Sequence, residues 1–410
     1  MEMGNLIKYY RQKEKWTQKE LARGICSVSY LSKIENGMVE PSNEILELIC
    51  RRLKIDLTQT NAEDDEKLEK MLYQWHRHIQ HQDRKSADHL YREIKPLISH
   101  SSNHQCEILF HLFLFRYHLF TSDLDKARTI FQELRQMEDL LNAEYSFYYY
   151  KFSGIFFLKT DKLDQSMTCM RKAEETYRTL HFNDPELFFY LSMIYSKKQE
   201  LNRGIIYAQQ ALEMYQDMLF YERITDCHLL LGIQYNNLGE FDIAEDYLTK
   251  LLPKKTSHFQ RSVLPKVYHN LGYIYFNRKN YHQALTYLEK ALKLKKNHAE
   301  KINTLFLIAS SYHALNERNK ALGLVQEGME LAERHRNQKY MYKFYILKQK
   351  INHTLFDETF IFNLKTNILS YFEESGEKSE YKDIVKLLGD IYFQKRQYKN
   401  AAAIYQKLYT

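Results

Sequence analysis

Glycine and proline are scarce in this chain, 12 and 5 in 410 residues, less than half of average usage. So few turn formers exclude a β-rich fold and favour helices joined by short loops. Cysteine is limited to five scattered residues, Cys26, Cys50, Cys106, Cys169 and Cys227, with no CxxC pair. They read as packed or incidental thiols in a reducing cytoplasm. No apolar run reaches the roughly eighteen residues that a spanning helix needs. "EILFHLFLFRYHLF" (107–120) comes nearest, and two His and an Arg interrupt it. "MEMGNLIKYYR" lacks the apolar segment of a secretory signal, so the expectation is a cytoplasmic protein with no membrane partner. P-loop, GxGxxG, HExxH and GxSxG motifs are missing too, which leaves no catalytic residue and no cofactor to name. What is plentiful is core material: 44% hydrophobic residues, with 33 Tyr and 23 Phe. The net charge of +7 is compatible with a polyanionic partner without requiring one.

The first sixty residues hold four or five short helical patterns. Thr17 with Glu20 three residues later forms a capping box ahead of Leu21 and Ala22. Ser27 can cap the next helix, Gly37 stops it, and Pro41-Ser42 opens a fourth with Ile45, Leu48, Ile49 and Leu53 on one face. "TQKELARGICSVSYLSKIENGMVEPS" resembles the bacterial Xre/Cro-type helix-turn-helix through its TQ-x-x-LA, S-x-IE-x-G and PS landmarks. That resemblance covers about residues 4–58 and implies that helix 28–36 enters the major groove of double-stranded DNA. Ser29, Tyr30 and Lys33 are then the base-edge candidates. Thr17 and Gln18, at a helix N-terminus, suit phosphate, and Ser27, the cap of the reading helix, is a further DNA-binding candidate. The bland alternative packs Tyr30 on the fourth helix and leaves Lys33 solvated. Ten Lys and Arg against eight Asp and Glu in residues 1–58 give modest non-specific attraction, so a dimer on an inverted repeat is expected.

"QTNAEDDEKLEK" (59–70) is polar and free of aromatics and reads as a linker running into a helix. Beyond it, residues 229–252 superimpose on residues 269–292 at a shift of 40. Equivalent positions are Tyr117, Phe157, Tyr195, Tyr235, Tyr275, Tyr312, Asn352 and Tyr392. A second register of mostly small residues follows nine or ten later: Ala127, Ser166, Gly204, Ala244, Ala284, Ala321, Ile361 and Ala401. An aromatic on one helix and a small residue on the next lets two backbones approach closely. The pattern resembles the tetratricopeptide repeat, with a period longer than the usual 34 residues. The expected fold is therefore all-α: a helix-turn-helix domain (1–58), a linker (59–70) and a right-handed tetratricopeptide-repeat superhelix (71–410) of about seven or eight helix pairs.

The inner wall of such an array is lined by the first helix of each pair, at positions −9, −6, −2, +1 and +2 from the landmark aromatic. For Tyr235 these include Asp226, Asn236 and Asn237. For Tyr275 they include Lys266, His269, Phe276 and Asn277, and for Tyr312 Asn303, Phe306, Ser310, His313 and Ala314. A carboxamide both donates and accepts, so inward Asn residues suit the backbone of an extended peptide. Asn is also favoured where helices end, which is the alternative. "HRHIQHQ" (76–82) puts His78 and His81 one turn apart, but a solvated face explains them more simply than a metal, and no metal is expected.

Taken together, the reader, linker and repeats resemble the Gram-positive peptide-pheromone receptors, the Rap, Rgg, NprR, PlcR and PrgX group, and most of all its NprR members. The resemblance implies a quorum-sensing transcription regulator that binds a short re-imported peptide and acts as a homo-oligomer, dimer or tetramer. "HNLG" matches the group's N-[IL]-G motif and adds Asn270. "FRYHL" (115–119) matches a Rap-type stretch and adds Arg116, whose partner is either a ligand carboxylate or an acidic residue of the chain itself. The alternative reading is a peptide-controlled inhibitor that sequesters a phosphorelay response regulator, as in sporulation. The Rap-type catalytic Gln falls on His104 here, a departure that argues against phosphatase chemistry.

Overall fold

The computed structural model describes residues 3–53, 62–101, 103–252 and 258–408, and all regular structure among them is helical. The chain divides into two compact units, Met1–Gln234 and Tyr235–Thr410.

The first unit opens with α1 (Met3–Lys13), α2 (Gln18–Ala22), α3 (Val28–Glu35) and α4 (Asn43–Leu53). Their apolar faces close on one small core of Ile7, Leu21, Ala22, Leu31, Ile34, Ile49 and Leu53. The capping box forms: the Thr17 hydroxyl accepts from the Glu20 amide while Glu20 accepts from the Thr17 amide. Ser27 caps α3 by accepting from the Tyr30 amide. The turn between α2 and α3 needs a left-handed residue, and Gly24 supplies it at φ +74°. Arg52 of α4 donates to the Leu21 carbonyl at 3.0 Å and also to that of Arg23, which ties the turn to the fourth helix. Glu35 is buried, and Arg11 meets it as a fork at 2.6 and 2.8 Å.

Helices then run in antiparallel pairs. In the first unit these are α5 (Ala62–Gln80) with α6 (Arg84–His100), α7 (His104–Phe120) with α8 (Leu124–Gln136), α9 (Ala143–Lys159) with α10 (Leu163–Tyr177), and α11 (Pro185–Lys197) with α12 (Leu201–Asp217). Next come α13 (Tyr221–Leu238) with α14 (Phe241–Thr249), α15 (His258–Asn277) with α16 (Tyr281–Leu294), and α17 (His298–Ala314) with α18 (Arg318–Arg334). The array continues through α19 (Gln338–Asn352), α20 (Glu358–Asn363), a π-turn at Leu364–Ile368, α21 (Leu369–Glu374), α22 (Lys378–Gln394) and α23 (Tyr398–Gln406). The expectation of seven or eight pairs misses α5–α6. That pair begins inside the stretch read as a linker, which is helical from Ala62; residues 54–61 lie outside the described ones. Its acidic first turn of Glu63, Asp64 and Asp65 suits a helix N-terminus. Leu68, Leu72, Trp75 and Ile79 form its buried face.

The small-residue register does what close packing requires. Ala127, Ser166, Gly204, Ala244, Ala284, Ala321, Ile361 and Ala401 are all buried. Landmark tyrosines stack on a tyrosine twelve residues later in the partner helix, Tyr195 on Tyr207, Tyr235 on Tyr247 and Tyr275 on Tyr287, with centroids 5.4–5.7 Å apart.

Candidate DNA-binding helix and ligand cavity

On α3 the side chains of Ser29 and Lys33 are exposed, as a reading helix requires. Val28 is exposed beside them at 42%. A branched apolar side chain there suits a thymine methyl, and the helix-turn-helix landmarks do not single it out. Tyr30 is half-buried and packs against the core of the helix-turn-helix. Ser27 is engaged as the cap of α3 and meets the Ser29 hydroxyl at 3.1 Å. Two phosphate candidates carry internal duties. The Thr17 amide, the donor a phosphate would meet, donates to Glu20 at 2.6 Å, and Gln18 donates to Glu35 at 2.8 Å.

The helix-turn-helix touches the repeats within the same unit. Lys13 of α1 pairs with Glu107 of α7, and the Tyr9 ring lies 6.2 Å from that of His104. Burial and the Glu107 carboxylate raise the Tyr9 phenol far above its ordinary range. His104, which the resemblance aligns with the Rap-type Gln, is half-buried beside α1. Of the paired histidines, His81 packs against Phe220 with the rings tilted and their centroids 3.8 Å apart, and His78 lies 3.5 Å from Asp83. No metal-holding group of three or more His, Cys, Asp or Glu occurs among the described residues, and no helix among them is long and apolar enough to cross a membrane.

Arg116 faces no open groove, which corrects its assignment as a peptide residue. Its guanidinium is buried and meets Glu186 at 2.6 Å, resolving the choice in favour of the chain's own acid. Arg223 reaches the same carboxylate at 3.1 Å and the Gln80 carbonyl at 2.9 Å. Lys151, fully buried, pairs with Asp184 and lies 3.4 Å from Glu186. Burial opposes ionisation of Glu186, but Arg116, Lys151 and Arg223 overcome it and hold the carboxyl well below its ordinary range. Asp184 goes the other way, raised by burial and by Glu186 against the pull of Lys151. Lys151 and Glu186 occupy the −6 and −9 positions of their repeats, so these inward positions of the first unit are taken by buried ion pairs.

In the second unit the corresponding face is polar and partly open. Asn277 donates to the Asn236 carboxamide at 3.1 Å, and Asn237 is exposed. Asn270 turns back on its own helix, donating to the Lys266 carbonyl at 2.9 Å, while the Lys266 side chain is exposed. His269 meets Thr304 at 3.0 Å and the Asn303 amide at 3.4 Å. Lys295, absent from the sequence reading, organises that group. Its ammonium donates to the Glu300 carbonyl at 2.8 Å, the Asn303 side chain at 3.1 Å and Thr304 at 2.7 Å. Burial lowers Lys295 to about 8 and, with Lys295 nearby, lowers His269 to about 3, so His269 is neutral at physiological pH.

Farther along the unit, α15, α17, α19, α21 and α22 enclose a cavity of about 460 Å³. Phe276, Phe306, Ser310, His313 and Ala314, all at inward positions of the register, line it. Ile346, Leu347, Phe372, Ile384 and Leu387 complete an apolar floor, and Lys343, Lys350, Glu380 and Asp383 bring charge to it.

The helix-turn-helix family matches residues 7–59, and tetratricopeptide-repeat families match residues 264–334 and 387–410. Over 401 residues the chain is 31% identical to the transcriptional activator NprA of Geobacillus stearothermophilus, across 95% of this chain and 98% of that one. The chain belongs to the NprA family of transcription regulators. It is also 24% identical to the regulatory protein RapD of Bacillus subtilis (strain 168), over 72% of this chain and 84% of that one. The apo form of the quorum sensor NprR from B. thuringiensis superposes with a TM-score of 0.72 at 18% identity, covering 84% of this chain and 98% of its own. NprR in complex with its cognate peptide NprX gives 0.68 at 17% identity, covering 83% and 98%. These solved structures establish that the NprA-family repeats share one fold with NprR.

The cavity residues that the sequence reading missed in this NprA-family chain were within its reach. Applied to Asn352, the same offsets give Lys343, Ile346 and Lys350; applied to Tyr392, they give Asp383. Both copies belong to the register, but the one at Asn352 lacks the landmark aromatic.

Proposed function

We propose that this NprA-family protein is a cytoplasmic, peptide-responsive transcription regulator of the quorum-sensing type. It binds an inverted-repeat operator as a dimer or tetramer through α3 and takes a short linear peptide on the inner face of the second unit. The observation that carries the peptide reading is the cavity, a concave apolar space with a few polar groups, lined by inward positions of successive repeats. Exposed Val28, Ser29 and Lys33 on a capped α3 support DNA reading, and the names of NprA and of the NprR–NprX complex point the same way. Sequestration of a response regulator rests on the Rap likeness alone. The test is selection of binding sites from random duplexes by the full-length protein, with and without the Ser29→Ala/Tyr30→Ala/Lys33→Ala variant. A palindromic site is expected for the parent, with half-sites about one helical turn apart or a multiple of it. If the triple variant selects the same site with the same affinity at every salt concentration, α3 is not the reader.

A further inference from the structure

Lys295 follows the last residue of α16 and is buried. Its ammonium has three hydrogens and meets three oxygens of α17: the Glu300 carbonyl at 2.8 Å, Asn303 Oδ1 at 3.1 Å and Thr304 Oγ1 at 2.7 Å. An ammonium can only donate. The Asn303 carboxamide must therefore turn its oxygen, not its nitrogen, toward Lys295, which fixes an orientation that the two similar ends of an amide otherwise leave open. The Thr304 hydroxyl lies 3.4 Å from the same oxygen, so both lone pairs of Oδ1 are taken within the chain. The Asn303 nitrogen lies 3.4 Å from His269 Nε2, and His269 Nδ1 lies 3.0 Å from the Thr304 hydroxyl. With His269 neutral, Nε2 accepts one amide hydrogen and Nδ1–H donates to Thr304. The second hydrogen of that amide has no partner among the described residues. Asn303 is half-buried and stands at the −9 position of its repeat, on the inner face. Asn277 and Asn236 on the same face differ. They pair at 3.1 Å, no cation fixes them among the described residues, and both carboxamides can turn over and exchange roles.

We infer that Lys295 is a positioning residue of the peptide face: it holds the Asn303 carboxamide so that it offers the ligand a donor and no acceptor, and the group received there is a backbone carbonyl of the peptide. The inference rests on the peptide reading above and deepens it by assigning the polarity of one contact and the residue that sets it. A peptide that turned a backbone N–H toward Asn303 would bring donor against donor. Both groups would then stay unpaired on a partly buried face, which costs more than the missing bond is worth. Lys295 itself touches no ligand. It acts through Asn303, as an outer partner that fixes the face a binding group presents.

The probe is a synthetic heptapeptide library, incubated at pH 7 with the full-length protein and read by mass spectrometry of the retained fraction. The sequence retained most strongly is resynthesised with each amide in turn replaced by an ester, which removes the N–H, or by an alkene, which removes the N–H and the carbonyl. The affinity gap between the two analogues reports the carbonyl at that position. At the position facing Asn303 the gap should be about tenfold, as expected for loss of one hydrogen bond. It should close in Asn303→Ala and in Asn303→Asp, which keeps a partner for Lys295 but has no hydrogen to give. It should close equally in Lys295→Met, where Asn303 is free to turn over, while gaps elsewhere along the peptide persist. Circular dichroism melting controls for folding, and Lys295→Gln, whose amide can present either end to Asn303, serves if Lys295→Met does not fold. A lysine with a merely structural role would lower the affinity of every analogue by one factor and leave all gaps as they were, and that result would overturn the positioning role. If every gap survives Asn303→Ala, the carbonyl contact is wrong and the peptide reading stands. Retention of no peptide would overturn both.

Discussion

Replacing Glu186 by Gln tests how the first unit is held together. Glu186 is the acid shared by Arg116 at 2.6 Å, Arg223 at 3.1 Å and Lys151 at 3.4 Å. At an effective dielectric of about 20, one unit pair at about 4 Å is worth about 4 kcal/mol. Desolvation of each buried ion offsets several kcal/mol of that, so the arrangement as a whole adds little net stability. Removing one member is different, because the cations stay buried without their counter-ion, and the cost is about 3–5 kcal/mol. Trp75, fully buried on α5, reports unfolding of this region in a Trp16→Phe background. With a urea slope of about 2–3 kcal/mol/M, the midpoint should fall by roughly 1–2 M. The pH dependence gives a second check. Glu186 has its folded pKa depressed, so its contribution is complete above the unfolded carboxylate value of about 4.3 and is lost as pH falls below it. The gap between the parent and Glu186→Gln should therefore narrow below about pH 4. Asp184, raised in the fold by burial and by Glu186, works in the opposite sense in the parent. A midpoint shift under about 0.3 M, or a gap that is constant down to pH 3, would refute this account.

Three further outcomes follow from local geometry. Lys13→Glu and Glu107→Lys should each loosen α1 from α7, and the double charge swap should restore the contact; Trp16 fluorescence in a Trp75→Phe background should give a coupling of roughly 0.5–1 kcal/mol, and zero coupling would deny the contact. Gly272→Ala places a Cβ 2.5 Å from Leu288 Cγ and 3.2 Å from the Ala284 carbonyl oxygen, so stability should fall by roughly 1–3 kcal/mol, and an unchanged thermal midpoint would contradict the packing. The Cε resonance of Lys295 should titrate near 8, and a midpoint above about 10 would mean its ammonium is solvated. Since its folded pKa lies below the unfolded value of about 10.4, the fold bears the cost of the buried charge below pH 8, and that cost is relieved between the two values.

What the sequence revealed depended on whether a signal was local or shared between distant residues. The capping box needs only Thr17 and Glu20, and it forms as read. The small-residue register survived because each repeat imposes the same steric demand at Ala244, Ala284 and Ala321. Arg116 could not be resolved in advance, because its partner Glu186 lies seventy residues away and either end alone fits a ligand site as well. The partner of the Gln18 side chain was beyond local reading for a similar reason: Glu35, brought from the end of α3, is the carboxylate it meets at 2.8 Å. Lys295 escaped notice inside a run of lysines, where only the fold distinguishes the one that caps its helix and holds Asn303 and Thr304. Of the cavity's charged residues, Lys343 and Lys350 lie in the copy whose aromatic is lost, while Asp383 lies in the copy that keeps Tyr392.

Helix α7 deserves a mechanical reading. At its start, Glu107 and His104 touch Lys13 and Tyr9 of the helix-turn-helix; toward its end, Arg116 is clamped by Glu186 of α11. Seventeen residues make a rod of about 25 Å, too short to bend appreciably. Pivoted at Arg116, it acts as a lever arm: a tilt of roughly 10° would sweep its far end through about 3 Å over the intervening turns. The point of leverage is a buried ion pair that resists sliding, and the load is the head that reads DNA. A rotation of α11 against α7 about Arg116 would therefore be magnified at the end of α7 that touches the helix-turn-helix.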